Sequence, residues 1–244
     1  MIAVEELSCG YGVPVLRGVT FESARNLTVL GPNGAGKSTL AKALCGLLPY
    51  EGSVRVGGKE LRELEAVERA KVVTYIPPKL SSYDAYLSVE AFVLMGRYPH
   101  KSPYRDYSAE DYAVVRSLLG RSGLEAAQPI TSLSSGQQQL LLISQALAQQ
   151  SGIIIFDEPT ANLDPAHAKA FFDELRSLPE GTQSIVITHD LNLANRLEGA
   201  VLFVDNGTAS FYGERSDFFT PENLRNCYGV EFTCDSGVIG VQYG

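Results

Sequence analysis

Gly31-Pro32-Asn33-Gly34-Ala35-Gly36-Lys37-Ser38-Thr39 fits the pattern G-x-x-x-x-G-K-[ST], with Gly31 and Gly36 as its two fixed glycines. Glycines let the backbone curl until successive N–H groups converge on phosphate oxygens, and a following helix adds its positive N-terminal end. Lys37 then supplies a mobile positive charge for β- and γ-phosphates, and Ser38 a hydroxyl for Mg2+. The flanks agree with that chemistry. Residues 26–30 read as a short strand feeding the turn, and Leu40, Ala43, Leu44 and Leu47 recur at i, i+3, i+4 and i+7, the apolar stripe of a helix. The competing reading is a plain glycine-rich turn, weakened by a strand and a helix standing where phosphate binding requires them.

Outward from the loop, β-type segments alternate with helical ones, the arrangement of a parallel sheet flanked by helices. Ile153-Ile154-Ile155-Phe156 is an unbroken apolar run, typical of a strand buried on both faces. Asp157 and Glu158 follow it directly, at the carboxyl end where α/β sheets hold ligands. An acid there can hold Mg2+, and the next is a candidate general base for an attacking water. Two solvated acids at a strand end are the bland alternative. Residues 184–188 form another candidate strand, and residues 200–204 and 209–212 flank Asn206-Gly207, a strong hairpin signal. Residues 79–130, rich in Tyr, Ser and Pro, read as a mostly helical insertion with helices near 89–95 and 109–119.

Composition narrows the function. The chain has 244 residues, and 20 Lys and Arg against 28 Asp and Glu give a net charge of −8, which argues against a nucleic-acid partner. A hydrophobic share of 45% with 20% charged residues is that of a globular protein with a sizeable core. No apolar run approaches the roughly 18 residues of a membrane span. The amino terminus lacks a secretion pattern, and cysteines 9, 45, 227 and 234 show no metal or redox spacing. These features lead us to expect an acidic intracellular protein that does not itself cross a membrane.

Further motifs resemble the ATP-binding subunits of ABC transporters. Leu133-Ser134-Ser135-Gly136-Gln137 is similar to the signature LSGGQ, Asp157-Glu158-Pro159-Thr160 to the magnesium-aspartate and catalytic-glutamate segment, Ala161-Asn162-Leu163-Asp164 to the D-loop and Thr188-His189-Asp190 to the switch-histidine segment. Tyr11 stands where the family carries an aromatic that stacks on adenine. The resemblance implies an α/β fold of the P-loop NTPase type, with a RecA-like parallel sheet core, an N-terminal antiparallel β part and an inserted helical subdomain. Its expected parts are 1–78 and 131–205 for the core with its β subdomain, 79–130 for the insertion, and 206–244 for a C-terminal hairpin and tail. It also implies a head-to-tail dimer of two copies. ATP on the loop of one copy would meet Ser134, Gly136, Gln137 and Asp164 of the other. Ser38 and Asp157 would hold Mg2+, Glu158 would set the water, and Lys37 and His189 would stabilise the terminal phosphate. Structural alternatives stand beside these roles: Ser134 or Ser135 capping a helix, Asp164-Pro165 opening one, and Tyr11 as a core aromatic.

Within that family, Leu87-Ser88-Val89-Glu90, Met95-Gly96-Arg97-Tyr98-Pro99-His100 and Ser108-Ala109-Glu110-Asp111 resemble importers of iron-siderophore, haem and cobalamin, as do Thr220-Pro221-Glu222-Asn223-Leu224 and Cys227-Tyr228-Gly229. A helix stop and turn would equally explain Gly96 to Pro99. The resemblance implies separate transmembrane permease subunits, indirectly a substrate-binding protein, and a cytoplasmic position on the inner face of the membrane. The chain departs from the pattern at Pro78, where the family's Q-loop glutamine is expected, and Lys79 is a candidate substitute for it near the γ-phosphate. Ser135 replaces a glycine, and Gln138 and Gln139 stand where arginine is common. The rival readings are a soluble ABC ATPase that remodels protein partners, as in iron–sulfur cluster assembly, and a weakened nucleotide-binding module.

Overall fold

Strand β1 (Ile2–Gly10) buries Ile2, Val4, Leu7 and Cys9, and its neighbour β2 (Pro14–Ser23) buries Leu16, Val19, Phe21 and Ser23, so each turns one face to a core. The computed structural model describes residues 1–80, 86–161, 165–235 and 238–241 of the chain. They fall into two compact units, one of Met1–Leu64 with Gln183–Gly244 and one of Glu65–Thr182. In the first unit β3 (Leu27–Leu30) is buried at all four positions and runs through the glycine loop into α1 (Lys37–Leu44). Strands β4 (Tyr50–Val56) and β5 (Lys59–Glu60) follow, giving an antiparallel sheet in the order β2-β1-β4-β5.

Helix α1 stops earlier than its apolar stripe suggests. Gly46 takes φ +64, its N–H donates to the Ala43 carbonyl (2.9 Å), and the Leu47 N–H reaches back to the Lys42 carbonyl (2.8 Å). This pair of bonds is a Schellman closure, which only a residue tolerant of left-handed φ ends cheaply. Leu47 therefore lies beyond the helix whose stripe was expected to include it, and is 63% exposed.

The second unit begins with α2 (Ala66–Val72) and β6 (Val73–Ile76). Three helices follow: α3 (Val89–Met95), α4 (Ala109–Ser122) and α5 (Ser135–Gln149), which pack on one another. Strand β7 (Ile153–Asp157), buried at every position, pairs in parallel with β6, and α6 (Pro165–Arg176) sets Phe171 edge-on against Phe156 at 5.4 Å. The helices expected near 89–95 and 109–119 are both present. Ser88 caps α3, and Ser108 opens α4 with a reciprocal capping box to Asp111. Arg97 is buried in this unit. Its Nε donates to Asp111 Oδ1 (2.8 Å), and its Nη1 to the Ala148 carbonyl (2.8 Å) and to Gln150 Oε1 (2.6 Å).

The chain then completes the first unit with β8 (Gln183–Ile187), α7 (Leu191–Arg196), β9 (Ala200–Asp205) and β10 (Thr208–Glu214). Strand β3 pairs in parallel with both β8 and β9, and β10 returns antiparallel to β9. Asn206 (φ +48) and Gly207 (φ +79) make the two-residue turn, as the Asn-Gly signal leads one to expect. Helices α8 (Arg215–Phe218) and α9 (Pro221–Tyr228) and the hairpin β11 (Phe232–Asp235)–β12 (Val238–Val241) add an aromatic cluster around Phe203, Phe218 and Phe232. Asn192 of α7 clips this hairpin: its Nδ2 donates to the Ile239 carbonyl (3.2 Å) and its Oδ1 accepts from the Ile239 N–H (2.9 Å).

Candidate functional site

In the first unit the glycine loop leaves the carboxyl end of β3, and Gly36 (φ +102, ψ 8) stands at the helix N-cap with no side chain to occupy it. A Cβ on Gly31 would come 2.0 Å from the Val204 carbonyl oxygen, so the loop can hug β9 only with glycine there. Pro32, Asn33, Gly34 and Ser38 are exposed, whereas Ala35, Gly36, Lys37 and Thr39 are buried. The Lys37 ammonium donates to the carbonyls of Gly31 (2.8 Å) and Pro32 (3.0 Å), which hold it against the loop it serves. Carbonyl oxygens accept hydrogen bonds from a buried ammonium and so offset part of its desolvation cost.

His189 follows β8, one strand over from the loop, and is exposed. Its segment is fixed on either side. The Thr188 N–H donates to the Val29 carbonyl (3.1 Å), and Asp190 caps α7 by accepting from Asn192 N (2.8 Å) and Leu193 N (3.1 Å). The phosphate loop and the histidine thus sit at the carboxyl ends of adjacent parallel strands, the place where such sheets bind ligands. Tyr11 is 56% exposed, which removes the core-aromatic alternative, and Lys42 Nζ lies 3.3 Å from its hydroxyl. Lys42 Nζ also lies over the Tyr11 ring, 5.6 Å from its centroid, and an exposed aromatic ring of this kind is suited to stacking on a planar base.

In the second unit Asp157 is 1% exposed and its Oδ2 accepts a hydrogen bond from Tyr75 Oη at 2.8 Å. Tyr75 escaped the sequence reading; its only signal there was its place in the strand before Pro78. Glu158, half-buried, takes φ +50, a left-handed conformation rare for a non-glycine residue and often found at working sites. The signature helix α5 opens with a capping box: Ser134 Oγ accepts from Gln137 N (3.3 Å), and Gln137 Oε1 accepts from Ser134 N (3.0 Å). Ser134 and Ser135 are exposed at this helix end, and Ser134 rather than Ser135 is the cap. Gly136 is buried, and a Cβ there would lie 2.3 Å from the His167 ring of α6, so the position has no room for a side chain. Gln139 is buried as well, where a charged side chain would face a desolvation cost. Lys79 is exposed after Pro78. Asn162, Leu163 and Asp164 of the expected D-loop lie outside the described residues.

A protein-family model described as ABC transporter matches residues 18–161. The chain belongs to the ABC transporter family. This ABC cassette is 36% identical to the hemin import ATP-binding protein HmuV of Pseudomonas aeruginosa over 95% of its own length and 93% of that protein's. It is 30% identical to the iron(3+)-hydroxamate import ATP-binding protein FhuC of Bacillus subtilis, covering 94% of the chain and 88% of the relative. Against the uncharacterized ABC transporter ATP-binding protein YvrA of the same organism, it is 34% identical over 94% of its length but spans only 54% of that longer protein. A solved structure of an ATP-binding subunit of an ABC transporter superposes with a TM-score of 0.77 at 26% identity, covering 94% of this chain and 93% of the other. The expected fold class holds: parallel pairing beside a P-loop, an antiparallel β part and a group of helices are those of an ABC ATPase cassette.

The donor chemistry of the cassette suits Mg2+. Among the described residues no group of three or more His, Cys, Asp or Glu could form a cage for a metal. Mg2+ does not need one, since it binds through one or two protein oxygens plus phosphates and water. The Asp157 carboxylate and the Ser38 hydroxyl are hard oxygen donors of that kind.

Proposed function

We propose that this chain is the ATP-binding and ATP-hydrolysing subunit of an importer for iron-siderophore, haem or cobalamin. The observation that carries the reading is the near full-length match to import ATP-binding proteins whose names specify hemin and iron(3+)-hydroxamate. In this reading Tyr11 stacks on adenine. The backbone amides of Gly31, Pro32, Asn33, Gly34, Ala35, Gly36, Lys37, Ser38 and Thr39 that carry an N–H line the phosphates. Lys37 turns its ammonium from the loop carbonyls to the β- and γ-phosphates, and His189 donates a hydrogen bond to the γ-phosphate. Ser38 and Asp157 hold Mg2+, which when bound neutralises charge on the phosphate oxygens. Glu158 accepts a proton from the attacking water and aligns it.

Two copies pair head to tail, with Ser134, Gly136, Gln137 and Asp164 of each turned to the partner's ATP. Among the described residues no helix is long and apolar enough to cross a membrane. In the reading drawn from the import ATP-binding relatives, the cassette works with transmembrane permease subunits that hold it at the inner face of the membrane, and indirectly with a substrate-binding protein that delivers the solute to them. The test is purification from native membranes. A polytopic permease should co-purify, and Mg2+-dependent ATP hydrolysis should fall by roughly 100-fold or more in Lys37→Ala. A cassette recovered with soluble partners alone would overturn the importer reading, and hydrolysis unaffected by Lys37→Ala would overturn the site.

A further inference from the structure

Strands β6 and β7 run parallel with Tyr75 opposite Ile155 and Ile76 opposite Phe156. Asp157 is two residues beyond Ile155, so Tyr75 and Asp157 share one face of the pair. Diagonal neighbours of this kind stand roughly 7–8 Å apart, within reach of a long aromatic side chain. The phenol spans the gap and ends 2.8 Å from Asp157 Oδ2. We propose that Tyr75 is a positioning residue for the divalent cation: its hydroxyl donates to one oxygen of Asp157 and so fixes the plane in which the carboxylate meets the metal.

Two further observations support this. Asp157 is almost fully buried, and buried polar side chains are held in place by hydrogen-bond partners. Ligating carboxylates are themselves oriented by hydrogen bonds, and loss of such a partner costs metal affinity. Three residues past Tyr75, Pro78 has no side-chain amide to offer. The Tyr75 phenol is a donor that this strand does supply. The inference rests on Asp157 being a Mg2+ ligand, and its test separates the two claims.

The experiment uses the full chain with a non-hydrolysable ATP analogue and follows free Mn2+ by electron paramagnetic resonance during titration with manganese chloride. Tyr75→Phe should weaken Mn2+ binding roughly 10-fold. The Mg2+ concentration giving half-maximal ATPase rate should rise by a similar factor, and affinity for ATP in EDTA should stay at the wild-type value. Asp157→Asn, measured alongside, should lose the site. Wild-type Mn2+ affinity in Tyr75→Phe, with Asp157→Asn impaired, overturns the positioning role and leaves the ligand assignment standing. Wild-type Mn2+ affinity in Asp157→Asn overturns the ligand assignment and the inference with it. A large fall in the melting temperature of Tyr75→Phe without metal or nucleotide would assign its loss to the fold and also overturn the proposal.

Discussion

Glu158 shows how a single backbone angle records a conflict between stability and chemistry. At φ +50 a side chain meets steric resistance that glycine avoids, worth about 1 kcal/mol or more. Glu158→Gly and Glu158→Ala both remove the carboxylate, and only alanine keeps the penalty. The glycine variant should therefore be the more stable of the two by about 1 kcal/mol in urea unfolding, while both lose hydrolysis. Gly136 presents the opposite case, a position set by a neighbour. Its missing Cβ leaves room for the His167 imidazole, whose Cγ would lie 2.4 Å from an added methyl. Gly136→Ala should destabilise the chain by about 1–3 kcal/mol through overpacking, and His167→Ala should relieve most of that cost. A double-mutant cycle with no coupling would remove this account of the glycine.

At the scale of elements, the Arg97–Asp111 pair ties together the start of α4, the end of α5 and the turn after α3. Burial by itself favours the protonated acid at Asp111. The hydrogen bonds from Arg97 Nε (2.8 Å), Ser108 N (2.9 Å) and Ser108 Oγ (2.8 Å) outweigh it and bring the carboxyl down to about 2. A folded-state value below the unfolded value, near 4, means the carboxylate stabilises the fold above that pH. Its contribution, about 2 kcal/mol, is lost as the pH falls from about 4 to about 2. Asp111→Asn should thus differ most from wild type at neutral pH, and urea midpoints of the two should converge through that acid window. None of this pairing was legible in the chain, because Arg97 stood in a stretch read for its resemblance to importers, with a helix stop and turn as the alternative, and its partners lie up to 53 residues away. The same holds for Tyr75 and Asp157, 82 residues apart, whose meeting depends on a strand register no local pattern encodes. Features made by neighbouring residues were legible: the phosphate loop, the Asn206-Gly207 turn and the buried run of β7. The misjudged end of α1 belongs between the two kinds. The periodicity of Leu40, Ala43, Leu44 and Leu47 was real, and the closure at Gly46 overrode its last member.

For the whole molecule, association is where the two ends of the proposed chemistry meet. Each copy exposes a phosphate loop at Pro32–Gly34 and Ser38, and a helix N-terminus at Ser134 and Ser135. A two-fold pair offers two of each, so every loop on one copy can meet a helix end on the other. Glu158→Gln should slow hydrolysis by roughly 10²–10⁴-fold and hold the ATP-bound pair together. In sedimentation with ATP and Mg2+, this variant should run at about twice the 26.4 kDa of one chain, and without ATP as a single chain. Ser134→Asp in the same background then separates helix capping from phosphate contact. Aspartate caps a helix as well as serine does, so α5 and its far-UV circular dichroism should be retained. Its charge, however, would confront the partner's terminal phosphate, where like charges repel. The double variant should stay at the mass of one chain with ATP bound. A stable dimer of that variant would mean Ser134 serves the helix alone, and that the signature end of α5 does not face the partner's nucleotide.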